Sequence, residues 1–431
     1  MRSPFLRFVS VLVVGSLLAA CSGGGTTPTT KVPQAASGVK HLVVQASCVA
    51  AMESAFRPSP ERERQQGEST CTNLRKVAHG SAVGPRTRLS LAGSAGITTF
   101  DVPGAATASQ CDPFEIFLDC GTNVEGINNA GAIVGFYLDS QLNVIAYVRG
   151  PGGQFTFFNV PQAFNPHGGT NPIPITNSSI IGGHYADSQF VEHSFIRSSD
   201  GTFTTFDPPF AAPGSSDVSS MNARGEAGGH YFDAQGDGFG YLRLANGTFL
   251  NVVPPNAVAE GVCPVDCLTE SGTAAGNFTD SSGLFQGYIR GPGGAFTVVY
   301  VSGSAFTELT GVNNSGMSAG DWTDANNLST AWIRSPQGKF SFFQAPDAST
   351  AANNGTVPTG INSRGAVTGL YVGSDNNVHG YYRSPSGQFS EFDPPDSVVT
   401  NPTALNDAGV VAGFYYDSLG QVHGFLWRPH P

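Results

Sequence analysis

Four polar side chains stand at one recurring point of successive repeats: His184, His230, Asn277 and Asp321. Each precedes a recurring aromatic residue, and the other copies hold Phe136, Leu370 and Phe414 there. Two imidazoles, a carboxamide and a carboxylate on consecutive repeats could line one side of a ligand pocket. Lying a repeat apart, they are poorly spaced to share one metal ion. Hydrogen bonding between repeats is the competing reading of the same residues. A second set, Asp139, Asp187, Asp233, Asp280, Asp324 and Asp417, ends the stretch that carries the aromatic, with Gly373 in the remaining copy. A ring of carboxylates suits Ca²⁺ or a cationic ligand. Alternatively, each Asp opens a turn by accepting backbone N–H groups. Within Asp233-Ala234-Gln235-Gly236-Asp237-Gly238, Asp233 and Asp237 are the best candidate cation ligands.

No nucleophile elbow, zinc-protease helix, phosphate-binding loop or dinucleotide fingerprint occurs. No residue is assigned a catalytic role. A hydrolase or lyase acting on extracellular polysaccharide remains the alternative to a binding module, with Asp187, Asp233 or Asp321 as acid and base. Such chemistry needs two carboxyls held close together.

The elements that must position these residues follow a three-point ruler: a Gly, an Arg fourteen residues on, and a Phe six beyond that. It runs from Gly135/Arg149/Phe155 through Gly183/Arg197/Phe203, Gly229/Arg243/Phe249, Gly276/Arg290/Phe296 and Gly320/Arg334/Phe340 to Gly369/Arg383/Phe389, and a further copy starts at Gly413. Within a copy, four short β-prone runs are separated by turns rich in Gly, Pro, Asn and Asp, with no helical periodicity. Four-stranded units at this spacing are propeller blades. The last copy ends at Pro431 without its fourth strand, while Ile97-Thr98-Thr99-Phe100-Asp101-Val102-Pro103 ahead of the first copy matches Phe203-Thr204-Thr205-Phe206-Asp207-Pro208-Pro209. A ring can use such a displaced strand to remove an exposed edge. The expected fold is an all-β, seven-bladed β-propeller over residues 91–431, closed by its N-terminal strand. A β-solenoid with atypical caps is the other possibility. The ruler's Gly is expected to admit close backbone approach, and its Arg to be structural.

Ahead of the propeller, Arg2 and Arg7 precede an apolar run too short to span a bilayer. It ends in Leu18-Ala19-Ala20-Cys21, which resembles a bacterial lipobox. The resemblance implies a lipoprotein signal at residues 1–20 and lipidation of Cys21, placing the protein on an outer membrane or cell surface. Residues 21–90 read as a lipidated tether and partly ordered stalk. The remaining cysteines, Cys48, Cys71, Cys111, Cys120, Cys263 and Cys267, fall in sequence-local pairs and are candidates for disulfides in an exported protein, though six allow fifteen connectivities.

Residues 91–431 hold ten Lys/Arg against 28 Asp/Glu, which argues against nucleic acid as a partner. The expected protein is a monomer with a protein or glycan ligand, and no cofactor unless Ca²⁺.

His193-Ser194-Phe195, His379-Gly380-Tyr381 and His423-Gly424-Phe425, together with Gly126-Ile127-Asn128 and Gly360-Ile361-Asn362, resemble the bacterial extracellular repeat family named for a His-Ala-Phe tripeptide. The resemblance covers residues 97–431 and implies a repeat fold without implying a reaction.

Overall fold

The computed structural model describes residues 96–110, 120–165, 168–262, 267–304 and 306–429. The signal, Cys21, Cys48, Cys71, Cys111 and Cys263 lie outside them. The described chain is all-β apart from one short turn of 3₁₀ helix, and its strands follow the ruler. The second copy is representative: Gly169–Ile175, Ile181–Ala186, Glu192–Arg197 and Phe203–Phe206 form an antiparallel meander in chain order. Neighbouring meanders touch through short parallel bridges, such as Val144 with Gly169 and Val378 with Val399. In the fourth copy the first strand is divided into Ala257–Val262 and Cys267–Leu268, both paired with Ala274–Asp280.

The displaced strand is present. Ile97–Phe100 runs antiparallel to Val422–Trp427, with Ile97 opposite Trp427 and Phe100 opposite Gly424. It stands beside the last copy's third strand as Phe203–Phe206 stands beside Glu192–Arg197.

The ruler has a packing explanation. A Cβ at Gly135 would overlap the carbonyl oxygen of Asn123, just ahead of the first strand, and lie 2.8 Å from the Tyr147 hydroxyl. The missing side chain lets the third-strand aromatic cross the sheet, so that Tyr147 donates to Asn123 O at 2.7 Å. At Gly320 the same overlap involves Glu308 O and the Trp332 ring. Tyr147, Phe195, Tyr241, Tyr288, Trp332, Tyr381 and Phe425 are all fully buried and form the centre of the packing between sheets. The second-strand aromatics read from the sequence are also buried, except Trp322, which is partly exposed. Each Arg curls over the turn that follows it. The guanidinium of Arg197 lies 4.9 Å from the Phe158 ring of the preceding copy, and Arg243 lies 4.9 Å from Phe206. These are cation–π contacts that join neighbouring copies.

Candidate functional site

The turn between first and second strands begins in the sequence as an apolar residue, an Asn or Thr, and a further residue that is polar in every copy but the third, where it is Ala223. In the first copy it is Ile127-Asn128-Asn129. Asn128 Oδ1 accepts the Ala132 N–H at 3.0 Å, which closes the turn, and Gly131 supplies the left-handed φ of 82° that the turn requires. With its oxygen committed, the Asn128 amide nitrogen donates across to the next copy, to Thr176 O at 3.3 Å. Asn222 donates to Thr269 O, Asn313 to Asn362 O, and Asn362 to Asn406 O in the same way. Asn406 donates to Asn128 O of the first copy at 3.2 Å. Thr176 and Thr269 interrupt this belt, because a hydroxyl spent on its own turn does not reach the next copy.

The next residue forms a rim. The Asn129 N–H donates to Asn177 Oδ1 at 2.8 Å, the Ala223 N–H to both Glu270 oxygens at 3.1 Å, and the Glu270 N–H to Asn314 Oδ1 at 2.9 Å. The Ser363 N–H donates to Asp407 Oδ1, and the Asp407 N–H to Asn129 Oδ1. Burial pushes the Asp407 carboxyl up, but hydrogen bonds from Ser363 and Asn129 outweigh it and hold the group below its ordinary range. Belt and rim surround a depression of about 220 Å³ with aliphatic side chains, from Ile127 to Leu405, among its lining. In a meander, the first–second and third–fourth turns share one face, and the second–third turns and the connections between copies share the other. The depression therefore opens opposite the variable connections.

The four polar residues that opened the sequence reading do not line it. His184 is buried opposite Asn171, and burial lowers its pKa to about 4, leaving a neutral imidazole. His230 lies opposite Asp217 and donates its backbone N–H to Asp217 Oδ1 at 3.0 Å. Burial raises the Asp217 carboxyl to about 6. Asn277 bridges copies, donating to Leu309 O at 3.0 Å and accepting the Leu309 N–H at 2.8 Å. Asp321 lies opposite Glu308; both are buried, and burial raises the Asp321 carboxyl. The first-strand partners Asn171, Asp217 and Glu308 were absent from the sequence reading.

The carboxylates at the second-strand ends cap turns. Asp139 Oδ1 accepts the Gln141 and Asn143 N–H groups, and Asp187 and Asp417 repeat the pattern. In the candidate cation loop, Asp233 Oδ1 accepts from Gln235 at 2.8 Å and from Asp237 at 3.0 Å. Among the described residues no group of three or more His, Cys, Asp or Glu is arranged to hold a metal ion. Asp187 and Asp233, named with Asp321 as possible acids or bases, thus serve the turns of different copies. Of the six candidate disulfide cysteines, only Cys120 and Cys267 are described: Cys120 is disulfide-bonded, whereas the Cys267 sulfur accepts the Val312 N–H at 3.2 Å.

The family-like histidines do have a shared place. His379 Nδ1 contacts Asp393 at 2.7 Å and its Nε2 contacts Asp375 at 3.1 Å, which ties the fourth strand's end to the second–third turn. His193 bridges Asp207 and Asp187, and His423 bridges Asp101 and Asp417. Asp101 follows the displaced strand.

No family model and no curated relative matches the chain. Among solved structures, a prolyl endopeptidase is 10% identical over 72% of this chain and 50% of its own, with a TM-score of 0.51. A puromycin hydrolase is 11% identical over 70% of this chain and 53% of its own, with a TM-score of 0.47. The Aleuria aurantia lectin, described as a six-bladed β-propeller with a novel mode of fucose recognition, is 9% identical over 63% of this chain and 95% of its own, with a TM-score of 0.37. The chain spans about half the length of the two enzymes it matches. At such identities the likeness bears on fold alone, and the chain is all-β and propeller-like.

Proposed function

We propose that the chain is a seven-bladed propeller closed by Ile97–Phe100, tethered to the cell envelope through lipid on Cys21, that acts as a non-catalytic binding module for a glycan or protein. Closure draws support from contacts between the last and first copies that repeat those between internal ones. Thr403 donates to Val124 O and Asn406 to Asn128 O. Arg149 stacks on Phe100 as Arg197 does on Phe158.

The observation that carries the binding reading is the axial depression, bordered by hydrogen-bonding side chains from successive copies. Buried Glu308 and Asp321 weigh against the polysaccharide-cleaving alternative, since a catalytic pair must face its substrate. The test is a glycan array and envelope-protein capture with the full chain, alongside turnover assays on extracellular polysaccharides. Retention of a specific ligand without turnover is expected. Turnover abolished by Asp321→Asn would replace this reading with the enzyme.

A further inference from the structure

We propose that the axial depression seats one ring of a neutral hexose, an inference that rests on the binding-module reading and names its ligand and residues. The rim's hydrogen bonds leave a defined remainder. Asn177 and Asn314 each spend Oδ1 on the preceding copy's N–H. That acceptor role fixes the orientation of both amides, because a nitrogen in its place would face another donor. Each Nδ2 is then left without a partner among the described residues. Ala223 stands where other copies carry an acceptor side chain, so the Asn177 N–H gains no rim partner among the described residues either.

Glu270 and Asp407 supply the opposite character. A carboxylate has about four acceptor positions. Among the described residues, Glu270 uses its oxygens on the Ala223 N–H alone, and Asp407 accepts from Ser363 and Asn129. The mouth therefore presents amide donors on two copies and carboxylate acceptors on two others.

Ligand classes separate on this pattern. A phosphate would use the amides but meet two carboxylates. An ammonium would use the carboxylates and leave the amides idle. A hydroxyl both donates and accepts, so a polyhydroxylated ring satisfies both sets at once. The exposed lining is almost wholly polar, which suits a hydroxylated rather than an apolar ligand. At about 220 Å³ the space is below the roughly 300–1,000 Å³ of drug-sized sites, which limits it to a single ring.

The test is isothermal titration of the full chain with glucose, galactose and mannose, repeated on Asn177→Asp and Asn314→Asp. Aspartate keeps the oxygen that the rim needs and replaces the amide donor with a charged acceptor, so the unfolding midpoint should hold. At least one hexose should bind the parent chain, and each variant should bind it about tenfold more weakly. Hexose binding that neither variant alters would overturn this assignment and leave the binding-module reading intact. Capture of an envelope protein with no hexose binding would do the same. Failure of every glycan and protein ligand would remove both.

Discussion

The guanidinium of Arg149 lies 4.6 Å from the centre of the Phe100 ring. Phe100 sits in the displaced strand, yet it occupies the place that Phe206 takes beneath Arg243 and Phe343 beneath Arg383. A strand from the front of the chain thus reproduces an internal contact at the far end of the array. Phe100→Ala and Phe343→Ala should therefore lower stability by similar amounts, about 2–4 kcal/mol each. Chemical denaturation of both variants measures this. Removing residues 91–105 should lower the thermal midpoint sharply, and an unchanged melting curve would sink ring closure.

A pH-dependent contribution is expected from His379. Burial alone would lower its pKa, but the carboxylates of Asp393 and Asp375 on its two ring nitrogens raise it to about 9. An unfolded imidazole titrates near 6.5. The pairing therefore stabilises fully below about pH 6.5 and is lost as pH rises through about 9. His379→Asn should cost about 2–3 kcal/mol at pH 6 and much less at pH 10. Equal losses at both would assign the effect to stacking on Tyr371.

The buried carboxyl of Asp321 carries the reverse consequence for substitution. Its folded pKa is raised by burial, whereas an unfolded Asp ionises near 3.9. The parent chain should lose stability as pH climbs above about 4 and Asp321 is driven toward its charged form. Asp321→Asn should match the parent at pH 4 and exceed it at pH 8 in unfolding midpoint. Destabilisation at both values would mean that the carboxyl's bond with Ser329 matters more than its charge.

Two glycines give a paired test of the packing. Gly320→Ala forces a Cβ into Glu308 O and the Trp332 ring, and should cost at least about 3 kcal/mol. At Gly360 an added Cβ meets nothing within 4 Å, so Gly360→Ala should be nearly neutral. Comparable losses would show that the ruler marks chain flexibility rather than close approach.

The ruler was legible because its three posts answer constraints that few residues satisfy: no Cβ, a long cation and a ring. The third-strand aromatics were read only as the last residue of three family-like tripeptides, since across the copies Tyr147, Phe195 and Trp332 fill one role with three residue types. The Asn belt was visible only as the Gly-Ile-Asn likeness, because a side chain that caps its own turn gives no sign that its other end crosses to a neighbour. His184 and Asp321 read as pocket residues because polarity at a fixed position does not reveal burial. The polarity of the rim is likewise spread over unlike residues, Asn129, Glu270 and Asp407 among them, and shares no motif.

The clamp between Asp101 and His423 joins residues 322 positions apart. A chain synthesised from its N-terminus therefore completes the strand Ile97–Phe100 long before that strand's partner exists. Its alternating side chains must wait unpaired through the making of every other copy, able to misdock on any growing edge. Assembly then has one late, long-range step whose rate depends on these two distant strands meeting, although its loop-closure entropy grows only logarithmically with the distance. Lesions in either of these two strands should slow refolding more than equal lesions in the middle copies, which refolding kinetics of matched variants would measure.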